Sequence, residues 1–251
     1  MSTSWRLTTV EMPDDPALNY ALDQAIAEHV GSGDVPPTVR LWRPGRCLAL
    51  GRFDSKLPRF RDAVEHMKSQ GYLALHRMSG GKAVWQDEGY LNFSVMAPRE
   101  QMGVPEAYRK FSEGFMAGLE QLGLESAFKH VEGAFCDGPY DLAIGERKLV
   151  GTAQVQKRTY MIVHGTAMVD CEVDDMVRIV GEFYEQAGDP MDLRAETMIT
   201  LREALQRPIA VDEVIEGLAK GYESSLGSIQ RDDVTQAELD RARRLRETVM
   251  L

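Results

Sequence analysis

YDLAIGERKLVGTAQVQKRTYMIVHGTAMV, residues 140–169, is the stretch on which the fold turns. Residues 140–144, 148–154 and 160–169 each read as a strand, and Gly145-Glu146 supplies the first junction with hairpin turn chemistry. Three strands in such close succession predict an antiparallel meander.

Upstream, residues 91–96 alternate as a further strand. Tyr108, Phe111, Phe115, Leu119 and Leu122 recur at helical spacing over residues 105–122, with Pro105 at the start and Gly123 as the stop. Residues 72–77 read as a strand that runs into Ser79-Gly80-Gly81, after a helix over 61–70 that Gly71 ends. Residues 38–42 and 47–50 read as short strands around the turn Arg43-Pro44-Gly45-Arg46. Before them lies an amphipathic helix over 15–30, with Asp15 as N-cap, Pro16 as first residue and Leu18, Leu22, Ala25 and Ile26 on its apolar face. Downstream the chain is mostly helical, including 211–226 and 236–250, where Thr235 and Glu238 have capping-box spacing. Strands grouped in the middle with helices on either side predict an α+β domain: a central mixed, mostly antiparallel β-sheet flanked by helices, rather than a βαβ parallel sheet.

A chain of 251 residues with 43% apolar content can bury a full core, and no segment has the length of an interdomain linker. The formal net charge of -10 repels phosphate backbones and anionic lipid, so neither nucleic acid nor a membrane is an expected partner. The opening MSTSWRLTTVEMPDDP lacks an apolar stretch of signal-peptide length, and no run approaches the roughly 18 apolar residues of a membrane span. A cytoplasmic protein is expected. Cys47, Cys136 and Cys171 form neither a CxxC pair nor an even set, which disfavours a disulfide framework and a metal site.

Four places carry candidate chemistry. Arg77-Met-Ser79-Gly80-Gly81-Lys82-Ala83-Val84 puts paired glycines at a strand end, where backbone can approach a ligand and aim N–H groups at it; a plain structural turn fits the same residues. Gly133-Ala-Phe-Cys136-Asp137-Gly138-Pro139-Tyr140 holds a thiol in a loop. A loop thiol is available for acyl transfer because a few per cent of a free cysteine is thiolate at neutral pH, but Cys136 reads equally well as a small buried hydrophobe. Cys47 and Cys171 read as buried hydrophobes. Lys148, at the start of a strand, either donates to a carbonyl oxygen that gains charge during transfer or stands in water as most strand-end lysines do. His164-Gly165, inside an apolar strand, reads first as a satisfied core histidine and its neighbour.

Together these segments resemble the biotin/lipoate A/B protein ligase family. The matching elements are Asn19-Tyr-Ala-Leu-Asp-Gln24, Arg77 through Asn92, Asp141 through Gln154, His164-Gly165 and Thr200-Leu-Arg-Glu203, in that order over most of residues 15–205. The family's amidotransferase branch is the most similar, on Asp54-Ser-Lys56-Leu57-Pro58, Gly71-Tyr72, Arg77 through Val84, Gly89 through Asn92 and Phe135 through Leu142.

The resemblance implies the ligase catalytic-domain fold over residues 1–210, with residues 211–251 as a helical extension packed on the same domain. It implies transfer of an octanoyl or lipoyl group from a carrier, the glycine cleavage H protein, to a lysine of lipoyl domains. Cys136 is then the nucleophile that becomes a thioester, and Lys148 holds the acyl carbonyl. Arg77, Ser79, Gly80, Gly81, Ala83, Asn92, Asp141, Gly151, Ala153, His164 and Gly165 bind the substrate. Partners implied are the H protein and the E2 subunits of 2-oxoacid dehydrogenases, with no cofactor and no metal. ATP and magnesium enter only if the chain is an ATP-dependent lipoate ligase. Those ligases carry glycine where this chain has Lys82 and histidine where it has Gln86; a bulky Lys82 is expected to crowd a phosphate-binding loop. Transfer from octanoyl-acyl carrier protein, or a non-catalytic acyl- or carrier-binding role, remain alternatives.

Overall fold

A computed structural model describes residues 4–251. Met1, Ser2 and Thr3, the start of the segment read for a signal peptide, lie outside the described residues. Trp5–Thr8 forms β1. The Asp15 carboxylate then accepts the Leu18 N–H at 3.2 Å, Pro16 sets the first turn, and helix α1 runs over Pro16–Ser32 until left-handed Gly33 ends it. The elements that follow are β2 (Thr38–Trp42), β3 (Cys47–Leu50), α2 (Phe60–Ser69), β4 (Ala74–His76), β5 (Val84–Gln86), β6 (Tyr90–Pro98) and α3 (Val104–Gln121). The second half contributes β7 (Ala127–Phe128), β8 (Leu142–Ile144), β9 (Arg147–Gln156), β10 (Tyr160–Met168), α4 (Val173–Ala187), α5 (Leu201–Leu205), α6 (Val211–Leu226), β11 (Ile229–Arg231) and α7 (Gln236–Val249).

Eight strands make the main sheet, in the order β11-β1-β2-β6-β10-β9-β8-β7. Its centre is the expected meander: β8, β9 and β10 pair antiparallel in sequence, and β10 continues antiparallel onto β6. The mixed character comes from one edge, where β11, β1 and β2 run parallel. A second sheet, β4-β3-β5, pairs β3 with β4 in parallel and with β5 antiparallel. Residues 38–42 and 47–50 are therefore both strands, but they lie in different sheets and do not pair. Between them Gly45, at φ 75°, turns the chain where an added Cβ would lie 2.2 Å from the Pro13 carbonyl oxygen.

Apolar side chains from both faces of the main sheet are buried. On one face Phe111, Phe115 and Leu119 of α3 and Leu218 and Tyr222 of α6 pack with Phe93 and Val163. On the other, Ala21, Leu22 and Ile26 of α1 meet Met96, Ile162 and Leu245 of α7. Helix α7 starts on a complete capping box between Thr235 and Glu238. Glu238 also takes both terminal nitrogens of buried Arg6, so the box anchors α7 to β1. Among the described residues no helix is long and apolar enough to cross a membrane.

Candidate active site

The loop between β4 and β5 is organised by Arg77. Its guanidinium donates to the carbonyls of Gly80 (2.9 Å) and Lys82 (2.7 Å), closing the loop on itself. The Ala83 N–H is fixed from outside by the Tyr184 hydroxyl (2.7 Å), which donates in turn to Asp54 (2.6 Å). Gly81 sits at φ 87°. A Cβ there would lie 2.5 Å from the Cys136 sulfur and 2.6 Å from an Arg77 nitrogen, so glycine is what lets the thiol rest on the loop.

Cys136 arrives from the loop before β8 with φ 42°, left-handed for a residue that carries a Cβ. Such a conformation costs roughly 1–2 kcal/mol and persists only where surrounding contacts hold it. Here the contacts come from Lys148, whose ammonium donates to Phe135 O (2.6 Å), Cys136 O (3.1 Å) and the Asp141 carboxylate (2.6 Å). Asp141 also accepts the N–H groups of Gly138 and Thr152, each at 2.8 Å. Burial raises the Asp141 carboxyl above its ordinary range, while the Lys148 charge and these donors pull it back. The Cys136 sulfur accepts the Lys82 N–H at 3.0 Å and an Arg77 N–H at 3.4 Å. A backbone amide and a guanidinium thus face the thiol from one side.

The thiol opens on a narrow cavity of about 30 Å³. Of the residues expected to bind substrate, Arg77, Asn92, Gly151, Ala153, His164 and Gly165 line it together with Cys136. Gly80 and Ser79 lie instead on an adjoining hollow; Gly81 and Ala83 belong to the loop that carries the sulfur's donors. Lys148 and Asp141 stand behind the thiol with no exposed side-chain surface, so Lys148 is not the solvated hairpin lysine its position allowed. All three of its donors are engaged. Contact with an acyl carbonyl requires one of those bonds to be exchanged.

The cavity also exposes residues that motif reading left unassigned, chiefly Tyr20, Phe135, Thr152 and Thr166. Tyr20 lies in the Asn19–Gln24 match and Phe135 precedes the cysteine, so adjacency was the available signal. Behind them Gln86 knits a buried polar network: it accepts the Tyr20 hydroxyl (2.5 Å) and donates to Asn92 (2.9 Å) and Thr166 (2.5 Å). The Lys82 side chain is half exposed and turns out toward Asp137 at 3.4 Å, so it does not crowd the glycine loop as its bulk had suggested.

His164 differs from the satisfied core histidine of the sequence reading. Its ring is partly open toward the cavity, yet its Nε2 is sealed from solvent and has no hydrogen-bond partner. Burial and the Arg77 charge push its pKa down to about 3, so the ring is neutral near pH 7. Cys47 and Cys171 are buried, as expected. Burial raises the Cys171 thiol to about 12 and the Cys47 thiol further, which disfavours thiolate at either. Among the described residues no group of three or more His, Cys, Asp or Glu is placed to hold a metal.

Residues 15–223 match the lipoyl protein ligase A/B catalytic domain. The octanoyl-[GcvH]:protein N-octanoyltransferase of Kyrpidia tusciae is 33% identical, over 96% of this chain and 85% of its own. Octanoyltransferase LipM of Symbiobacterium thermophilum is 31% identical over 98% and 96% of the two chains. Among solved structures, lipoate-protein ligase A bound with ATP superposes with a TM-score of 0.78 at 24% identity, covering 97% of this chain and 94% of that one. A putative lipoate protein ligase from T. acidophilum with bound lipoic acid gives 0.77 at 24% identity, covering 98% and 95%. The structural likeness concerns the fold, whereas the sequence match spans both loops that meet at Cys136. By that match, the chain belongs to the lipoyl protein ligase A/B catalytic-domain family.

Proposed function

We propose that this protein is an acyltransferase of protein lipoylation, moving an octanoyl or lipoyl group between protein lysines through a thioester on Cys136. The observation that carries this reading is the seat of the thiol: left-handed backbone, sulfur on the Lys82 N–H and Arg77, cavity in front. Octanoyl-[GcvH]:protein N-octanoyltransferases and LipM octanoyltransferases among the relatives support the acyl group and the protein acceptor.

In the first step the Cys136 thiolate adds to the acyl carbonyl of an octanoyl-lysine on the glycine cleavage H protein. The C–N bond breaks, the leaving lysine nitrogen takes a proton from solvent, and the thioester remains. In the second, a neutral lysine of a lipoyl domain, such as an E2 subunit of a 2-oxoacid dehydrogenase, adds to that thioester, gives up a proton to solvent, and Cys136 departs as thiolate. One lysine amide is broken as another is made, so the exchange needs neither ATP nor another cofactor. The Lys82 N–H and Arg77 donate to the sulfur and hold it in place as nucleophile and leaving group, while a donor to the acyl oxygen, the part taken by Lys148, is worth roughly 100-fold in rate. Lys148 holds the loop and gives its longest bond, that to Cys136 O, to the acyl carbonyl.

The acyl chain threads past Phe135, Ala153 and His164 toward a hollow of about 550 Å³ that shares Tyr20, Arg77 and His164 with the cavity. Met78, Tyr160 and Ile162 offer its methylenes an apolar wall, each buried methylene contributing ~0.8 kcal/mol. The test is intact mass after incubation with octanoyl-H protein. An octanoyl adduct is expected on the parent protein and none on Cys136→Ala; acceptor modification by the variant at the parent rate overturns the reading.

A further inference from the structure

We propose that Arg52, Phe53, Lys56 and Lys157 form the docking surface for the carrier protein, and that they take a carrier domain with an acidic, partly apolar face around its modified lysine. This rests on the acyltransfer reading above and names the face that its protein substrates use.

Arg52, Lys56 and Lys157 are exposed and border the same two hollows, one of about 550 Å³ and one of about 450 Å³, on either side of Met78. They come from distant segments, the turn after β3 and the end of β9, so their meeting is a product of the fold. The chain has 39 acidic against 29 basic residues, and many of its surface cations take carboxylates, as Arg43 does from Glu11, Arg241 from Glu28 and Arg246 from Asp15; others, Arg109, Lys220 and Arg244 among them, have no such partner but come from three different helices. Among the described residues Arg52, Lys56 and Lys157 have no carboxylate within 4.0 Å. Two acids beside them, Asp54 in the same turn and Asp23 on the wall of the larger hollow, are committed elsewhere. Asp54 accepts the Gly51 N–H and the Tyr184 hydroxyl, and Asp23 holds Arg40 and Ser94. Three unpaired cations gathered on an acidic protein form a local field that attracts an anionic surface.

Phe53 supplies the apolar anchor. It is 62% exposed, the largest exposure among the bulky apolar side chains described. Its ring covers Gly80, where an added Cβ would lie 2.9 Å away, and the Lys56 ammonium stands 5.2 Å from its centre. Gly80 adjoins Gly81, on which the Cys136 sulfur rests. A carrier seated on Phe53 therefore brings its lysine arm in over the glycine loop, at the thiol. An exposed aromatic ringed by cations fits the central-anchor, charged-rim pattern of protein interfaces.

The experiment measures binding separately from chemistry. Fluorescently labelled octanoyl-H protein is titrated with Cys136→Ser enzyme, alone and combined with Arg52→Glu/Lys56→Glu/Lys157→Glu or with Phe53→Ala. A control triple, Arg109→Glu/Lys220→Glu/Arg244→Glu, makes the same charge change at exposed positions elsewhere. At low salt the surface triple is expected to weaken binding by at least about tenfold and to flatten its salt dependence, with Phe53→Ala weakening it about tenfold and the control triple within about twofold. Equal weakening by both triples, or none by the surface triple, overturns the docking surface. Enzyme with Cys136 intact is separately given octanoyl-N-acetylcysteamine and octanoyl-H protein. If neither acylates Cys136 while the surface triple still abolishes binding, the acyltransfer reading fails and the docking surface stands.

Discussion

The Lys148 ammonium and the Asp141 carboxylate lie 2.6 Å apart with no exposed surface on either side chain. The pair joins the first residues of β9 to the loop that carries the nucleophile, so it serves stability and geometry together. Removing one partner of a buried pair leaves the other uncompensated.

Lys148→Ala is accordingly expected to lower the unfolding free energy by about 3 to 5 kcal/mol and to abolish acyl transfer. Lys148→Met/Asp141→Asn, which removes both charges and keeps an amide oxygen for the N–H groups that Asp141 accepts, is expected to regain part of that stability in urea titrations while staying inactive. A stable and active double variant would show that the pair has no part in the chemistry.

Gly81→Ala places a methyl where the Cys136 sulfur and Arg77 already are, on backbone at φ 87°. Transfer should fall by roughly 100-fold, because a sulfur pushed aside by about 1 Å is misplaced for attack. Stability should fall by only about 1 to 3 kcal/mol, since the rest of the loop is held by Arg77 and Tyr184. Single-turnover rates alongside thermal melts check this, and normal rates would separate the loop from catalysis.

His164 makes folding sensitive to acid. Between pH 6.5 and about 3 the unfolded chain binds a proton at this ring that the folded chain refuses. The contribution to stability is fully present above that window and declines as pH falls through it, at roughly 1 kcal/mol per pH unit or less. His164→Gln should show a shallower loss of urea midpoint from neutral pH to about pH 4; parallel curves would mean the ring titrates normally.

Iodoacetamide offers a direct reading of the thiols. Cys136 should be alkylated in the native protein, whereas Cys47 and Cys171, at 0% and 4% exposure, should react only in denaturant. Peptide mapping that finds Cys47 modified under native conditions would contradict the burial described here.

The fold was legible wherever a period or a cap was long enough to register. The β8–β10 meander, α1 with its Asp15 cap and α7 with its capping box all stand within a few residues of where alternation and spacing put them. The parallel edge was not legible, because β1 and β11 are four and three residues long and pair with strands distant in sequence. The regular spacing of Met176, Ile179, Val180 and Phe183 would have delimited α4. At the site, residue chemistry singled out Cys136 but could not say how deep Lys148 lies or which way Lys82 turns. Depth and direction depend on Asp141, Phe135 and Asp137, and so on how the loop folds back.

The pairing of Arg6 with Glu238 has a bearing on how the protein is made. On the ribosome β1 emerges long before its neighbour β11 and before Glu238, the counter-charge for its arginine 232 positions away. The sheet edge and a buried guanidinium stay unfinished while the residues between Arg6 and Glu238 are made, so helix α7 closes a structure that β1 left open.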